Sequence, residues 1–257
     1  GQRVLLPLLS ASAEAPTDLV LSHSDTDHVG GALAVLARHP QAAVWASFSP
    51  PDLATAWSDT AQLAVESQAV QAGQRSWTRC EAGQHWVRDG VRFDVLHPTP
   101  GAYEKRTASN NLSCVVWVRG THGAALLTGD LDAAHEAQLL ARHPEGLPST
   151  VLMAPHHGSK HSSSPPFLAA VAPQWVLVQA GHRNRYGHPA PEALARYQAQ
   201  GARWVATPEC GALTWHSAQP AQVGCHRQVV RRYWHWVLPR EAPALDPDSP
   251  EPPTPVW

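Results

Sequence analysis

No apolar run in this chain approaches the roughly 20 residues that a helix needs to cross a bilayer, so any membrane location has to come from sequence outside it. Charge of one sign is also scarce. Nineteen Lys and Arg against 21 Asp and Glu leave a formal −2, which excludes a global electrostatic pull on nucleic acid and leaves such contacts to local groups. Cysteine is rare, and Cys80, Cys114, Cys210 and Cys225 show no Cys-x-x-Cys spacing, which excludes a zinc knuckle. Cys210 and Cys225 bracket a hairpin pattern and can pair in an oxidising compartment, but buried free thiols are the expected state of all four. Histidine, by contrast, is abundant. The 16 imidazoles add positive charge only on acidification. With 43% apolar residues in 257, the chain can bury the core of one large domain, with or without a tail.

The histidines are concentrated where they can act. Asp18-Leu-Val-Leu-Ser-His-Ser-Asp-Thr-Asp-His-Val-Gly-Gly31 reads as an apolar strand running into four metal-ligand side chains, His23, Asp25, Asp27 and His28. Alternate residues leaving a strand point the same way, so His23 and Asp25 can converge on one cation while Asp27 and His28 reach a second. The run from Val29 to Arg38 then reads as a helix, with Val29, Leu33 and Leu36 on one face. A polar loop before a helix also collects Ser, Asp and His as caps and turn formers, so the motif gains weight from three further strand ends. Ala124-Ala-Leu-Leu-Thr-Gly-Asp130 delivers a carboxylate, whose two oxygens can bridge two cations. Val151-Leu-Met-Ala-Pro-His-His-Gly-Ser-Lys160 delivers His156 and His157. Trp175-Val-Leu-Val178 leads into a polar loop with Asn184, Arg185 and His188.

Together with Asn110-Asn-Leu-Ser-Cys-Val-Val116 and Asn184-Arg-Tyr-Gly-His-Pro189, these segments resemble the metallo-β-lactamase-like domain at the C-terminus of the ComEC/Rec2 family of DNA-uptake channels. The likeness runs from Gly1 to about Trp215. It implies an α/β fold, a four-layer αβ/βα sandwich, and a hydrolase that degrades the DNA strand that is not imported in transformation. It also implies a membrane channel as the rest of the parent protein, an inner-membrane location facing the periplasm, single-stranded DNA as partner, and no small organic cofactor.

Two departures from the family pattern stand out. Asp25 occupies a position held by His in the wider superfamily, and Asn110 to Ser113 offers no His where another is usual. Both changes remove nitrogen, so two divalent cations held by His23, Asp25, Asp27, His28, Asp130 and one of His156 or His157 are expected to be Mn²⁺ before Mg²⁺ or Zn²⁺. The family's leading Gly-Gln-Gly-Asp-Ala and Asp-Thr-Gly strands are absent, so a fragment lacking N-terminal strands of the first sheet is expected.

The chemistry expected is two-metal phosphodiester hydrolysis. Asp27 and Asp130 are assigned to the catalytic metals, with Asp130 bridging. Whichever of His156 and His157 does not ligate binds phosphate or moves a proton, and His188 stabilises or protonates the leaving oxygen. Ser159, Lys160, Asn184 and Arg185 are candidates for phosphate, as is Arg183. Two other readings stay open: hydrolysis of a small ester or cell-wall phosphodiester by the same fold, and a non-catalytic DNA-binding module.

The domain is expected over 1–238, followed by a disordered Pro-rich tail, 239–257. Strands are expected over Gln41 to Ser47, on either side of Asp89-Gly90, and over Ser113 to Val118 and Ala124 to Thr128. Helices are expected at Leu53 to Trp57, Ala61 to Val70, Ala133 to Arg142, Pro166 to Val171 and Pro191 to Gln200. The Arg227 to Trp236 stretch mixes cations and aromatics in a way that suits nucleic acid, though aromatics closing one end of the core beside solvated arginines is the preferred reading.

Overall fold

Alternate residues of the first ligand strand take opposite faces, and that alternation sets the layers of the molecule. In the computed structural model, which describes residues 1–13, 15–49 and 77–230, β1 spans Asp18–Leu21. Leu19 and Leu21 pack on one side with Val29, Ala32 and Leu36 of the helices that follow. Val20 packs on the other with Cys80, Val95 and Cys114. β1 pairs in parallel with β2 (Ala43–Ala46), and β2 with β3 (Trp77–Arg79). The same alternation recurs in β2, where Val44 and Ala46 face the helices and Trp45 turns inward to stack on Trp86, ring centroids 4.2 Å apart.

A larger sheet covers that inner face. Its strands are β4 (His85–Arg88), β5 (Val91–His97), β6 (Val115–Gly120), β7 (Gly123–Leu127), β8 (Val151–Met153), β9 (Trp175–Val178) and β10 (Arg203–Ala206), in the order β10-β9-β8-β7-β6-β5-β4. From β4 to β7 the pairs are antiparallel, and the Asp89-Gly90 hairpin forms as expected, with both φ angles positive, 49° and 77°. From β7 to β10 the pairs are parallel, which requires crossover connections. The helices Ala133–Arg142, Pro165–Val171 and Pro191–Ala199 supply these. Their Leu139, Phe167, Leu168, Ala193 and Tyr197 pack with Leu126, Leu152 and Val176 on the outer face. Helices, sheet, sheet, helices is the four-layer αβ/βα sandwich that the sequence resemblance implied. A small hairpin, β11 (Leu213–Trp215) with β12 (Val223–Cys225), follows.

Two expectations are corrected. The helix after β1 does not start at Val29 but comes in two pieces, Thr26–Val29 and Ala32–Arg38, so Asp27 and His28 sit inside a helical turn rather than on a loop. The cysteines are not free thiols. Cys80 and Cys114 form one disulfide and Cys210 and Cys225 another. Cys80 follows β3 of the small sheet and Cys114 precedes β6 of the large one, so the first bond ties the two sheets together inside their shared core, a pairing that spacing along the chain cannot reveal. The helices expected at 53–57 and 61–70, the aromatic stretch beyond Val230, and the tail from 239 lie outside the described residues. Among the described residues, no helix is long and apolar enough to cross a membrane.

Candidate metal centre

The carboxyl-side ends of β1 in the small sheet and of β7, β8 and β9 in the large one meet at one edge of the sandwich, and close backbone approach is what lets them converge. Gly129 has φ +54°, and a Cβ there would lie 2.8 Å from the Ser113 side chain and 2.9 Å from Ser22 Cβ. Only glycine fits that conformation in that space, and the next residue, Asp130, is thereby set against the β1 loop. Its side chain is 5% exposed.

The two carboxylate oxygens of Asp130 face different neighbours. Oδ1 lies 3.1 Å from His28 Nε2 and 3.5 Å from His157 Nε2. Oδ2 lies 3.6 Å from His156 Nε2 and 3.8 Å from His23 Nε2, and accepts from Asn110 Nδ2 at 3.3 Å. Asp27 joins the first side, its Oδ2 being 3.2 Å from His157 Nε2 and 3.8 Å from His28 Nε2. Asp25 joins the second, 3.7 Å from His23 Nε2, while its other oxygen accepts a short bond from the Ser109 hydroxyl. Asp25 stands at the N-cap position of the Thr26–Val29 turn yet makes no capping bond, so its carboxylate is left to the cluster.

Backbone conformation separates the two adjacent imidazoles. His156 and His157 both have positive φ, 49° and 55°. Two consecutive non-glycine residues in the left-handed region are costly, and such strain collects at functional sites. Its effect here is to send one ring to each oxygen of Asp130.

The outer nitrogens are fixed by a further layer of contacts. His157 Nδ1 donates to the Gln179 carbonyl at 2.7 Å, and Ser22 Oγ lies 3.1 Å from His23 Nδ1 and 3.0 Å from His28 Nδ1. Ser113 Oγ is 3.3 Å from His23 Nδ1 and also accepts from the Asp130 N–H at 3.0 Å. With Nδ1 so engaged, each Nε2 is turned inward, the arrangement that orients metal-binding histidines. Ser22, Ser109, Gln179 and the role of Ser113 were not anticipated from the sequence. Ser22 and Ser113 did carry a signal, lying inside the Asp18 and Asn110 motifs.

The electrostatics fit cations. Burial pushes the Asp130 carboxyl up, but His28, His157 and His156 outweigh it and hold the pKa below the usual carboxylate value. Burial, and then His28, press the His23 pKa down to about 4, so that ring stays neutral and keeps a lone pair. The buried His23 Nε2 and Asp130 Oδ1 have no hydrogen-bond partner, and the Nε2 atoms of His28 and His157 are 3.1 Å apart. Orphaned acceptors directed at shared points are costly without a cation. Donor atoms of His23, His28 and Asp130, and again of Asp27, His28 and His157, lie within 4.8 Å of one another, each set able to hold a metal ion.

The remaining sequence candidates are distributed around this cluster. His188 packs edge-on to His156, centroids 5.8 Å apart, and its buried Nδ1 has no partner. Lys160, Arg183 and Arg185 are exposed. Ser159 is buried, its hydroxyl accepting from the His161 N–H. Asn184 is committed to its own loop, accepting from the His188 N–H and donating to the carbonyls of His188 and Gly181.

Below the cluster, His97 is 2% exposed and donates from Nδ1 to the Ser113 carbonyl at 3.0 Å. Burial pushes its pKa down to about 4, against about 6.5 in an unfolded chain. The unfolded form therefore binds more protons between these values, so stability from the neutral ring is complete above pH 6.5 and is lost as pH falls towards 4. Between pH 7 and pH 5 the loss attributable to His97 is about 2 kcal/mol. His97→Asn keeps the donor without titrating, so its melting temperature should fall less over that interval than the wild type's. Equal falls would refute the assignment.

Residues 2–182 match the model of the metallo-beta-lactamase superfamily, and the chain belongs to that superfamily. Among curated relatives, it is 32% identical over 237 residues to the uncharacterised protein YcaI of Escherichia coli K12, covering 91% of this chain and 28% of that protein. It is 32% identical over 238 residues to competence protein ComA of Neisseria gonorrhoeae, with 91% and 30% covered. A third relative, ComE operon protein 3 of Bacillus subtilis 168, is 30% identical over 215 residues, with 83% and 26% covered. The chain thus spans less than a third of the length of these relatives, one of which is named as a competence protein.

Proposed function

We propose that this chain is a two-metal phosphodiesterase that cleaves DNA, serving a DNA-uptake channel by degrading the strand that is not imported. The observation that carries the reading is the division of neighbours around Asp130, with Asp27, His28 and His157 at one oxygen and His23, Asp25, His156 and Asn110 at the other. Two divalent cations bound there would supply Lewis acidity and water acidified towards neutral pH. The donor set is mixed, with carboxylates at both poles, and favours Mn²⁺, with Mg²⁺ or Zn²⁺ as alternatives.

The chain's own groups supply the rest. Asp130 spans both poles, and the histidine Nε2 atoms are preorganised by Ser22, Ser113 and Gln179. Burial, His156 and His157 lower the pKa of His188, so the ring is neutral near pH 7 and suits hydrogen-bond stabilisation of the leaving oxygen better than delivery of a proton. Lys160 and Arg185, exposed on the loops that carry His157 and His188, offer charge to phosphates. Two disulfides support a location on the oxidising side of a membrane, as part of a channel protein.

The test is incubation of labelled single- and double-stranded DNA with the protein in Mn²⁺ and in EDTA. Cleavage in Mn²⁺ alone is expected. Intact DNA after exposure to folded protein with verified bound metal would reject the nuclease reading.

A further inference from the structure

The loop after β9 carries an aromatic ring that the metal chemistry does not use. Tyr186 is 66% exposed, one of the largest apolar exposures among the described residues. A lone exposed aromatic needs no explanation, but this one is held in place. Arg185 donates to its hydroxyl at 2.5 Å and lies over its ring, 4.8 Å from the centroid. Beneath it the loop is cross-braced by Asn184, which both accepts from and donates to the backbone of His188. Tyr186 also shares a cleft with Asp27, His157 and His188. From His156 at the carboxylate cluster, rings step outward to His188 at 5.8 Å and on to Tyr186 at 5.9 Å, the last two within 18° of parallel.

From this geometry we infer that Tyr186 is a stacking platform for a base of single-stranded nucleic acid near the scissile phosphate, with Arg185 fixing its ring and meeting the backbone. The inference rests on the nuclease reading and adds how the strand is held. An aromatic face takes any base, since every base has a π-face, and the adjacent guanidinium supplies the phosphate attraction that a chain of net charge −2 lacks overall. A base leaving the stack of its neighbours needs such a surface. A small ester does not.

The experiment compares a short fluorescent oligothymidylate with an abasic strand of the same length and charge. Binding is measured with Ca²⁺ replacing Mn²⁺, and cleavage kinetics of the oligothymidylate are measured in Mn²⁺. Wild type should bind the thymidylate about tenfold tighter than the abasic strand. Tyr186→Ala should bind both at the abasic level, with KM raised about tenfold and kcat nearly unchanged. Tyr186→Trp should restore the preference. If wild type cleaves DNA but Tyr186→Ala keeps the same preference for bases, the platform is refuted and the nuclease stands. If folded, metal-loaded wild type neither binds nor cleaves either strand, both readings fall.

Discussion

Asp130→Ala is expected to lower metal-dependent DNA cleavage by on the order of 10³-fold or more, the scale of loss seen when a group central to a catalytic constellation is removed. The reason is positional. Among the described residues, Asp130 is the one carboxylate with an oxygen at each pole of the cluster, so its removal deprives both poles at once, whereas Asp25→Ala or Asp27→Ala removes a carboxylate from one. The fold should survive, because Asp130 contributes no apolar packing and its own N–H bond to Ser113 Oγ is a backbone contact that alanine retains. The measurements are cleavage rate and the number of Mn²⁺ ions bound per chain. A variant that still binds two ions and cuts DNA within tenfold of wild type would remove Asp130 from the bridging position. Asp130→Asn, which keeps shape and loses charge, should resemble the alanine variant if charge is what matters.

Glu136→Ala is expected to cost about 2–4 kcal/mol of stability and so to lower the melting temperature by about 10 °C. Glu136 is fully buried in the helix Ala133–Arg142, and its two oxygens accept the N–H groups of Ser163 and Ser164. Arg196 closes the arrangement by donating to the carbonyls of Lys160, Ser162 and Ser163. Alanine would strand the buried N–H of Ser163 and the half-buried N–H of Ser164, and each unsatisfied group carries its own desolvation cost. The loop so held runs directly on from His156 and His157. Metal affinity should therefore fall as well, by about 10- to 100-fold, the usual effect of losing support behind a ligand. Thermal melts and Mn²⁺ titration measure the two effects. A melting temperature lowered by less than about 2 °C would show that water or rearrangement replaces the carboxylate, and the buttressing role would be lost with it.

Much of this protein was readable along the chain, because the features concerned are local. The apolar run Leu19, Val20 and Leu21 specified a buried strand. Asp89-Gly90 specified a two-residue hairpin, since those residues tolerate positive φ. The placing of His23, Asp27, His28, Asp130 and the His156-His157 pair after strand ends pointed to one cluster of metal-type side chains before any distance was available. Each of these follows from the period of the backbone or the conformational range of one or two residues, which physics sets within a few positions.

Tertiary structure decided what depends on the packing of distant segments. His156 and His157 look equivalent in sequence and were divided between the two oxygens of Asp130 by consecutive left-handed residues. Cys80 found Cys114 because the two sheets meet there, against the expectation of free thiols. Glu136 reads as one more polar residue of an amphipathic helix, and became a buried support only when the Ser163 loop folded onto it. Tyr186 reads as a turn residue until its loop is set beside Asp27 and His157. Hydrophobic pattern and ligand type are properties of neighbours along the chain. Register between ligands from segments more than a hundred residues apart is fixed only when two sheets close on each other, because the contacts that determine it do not exist until then.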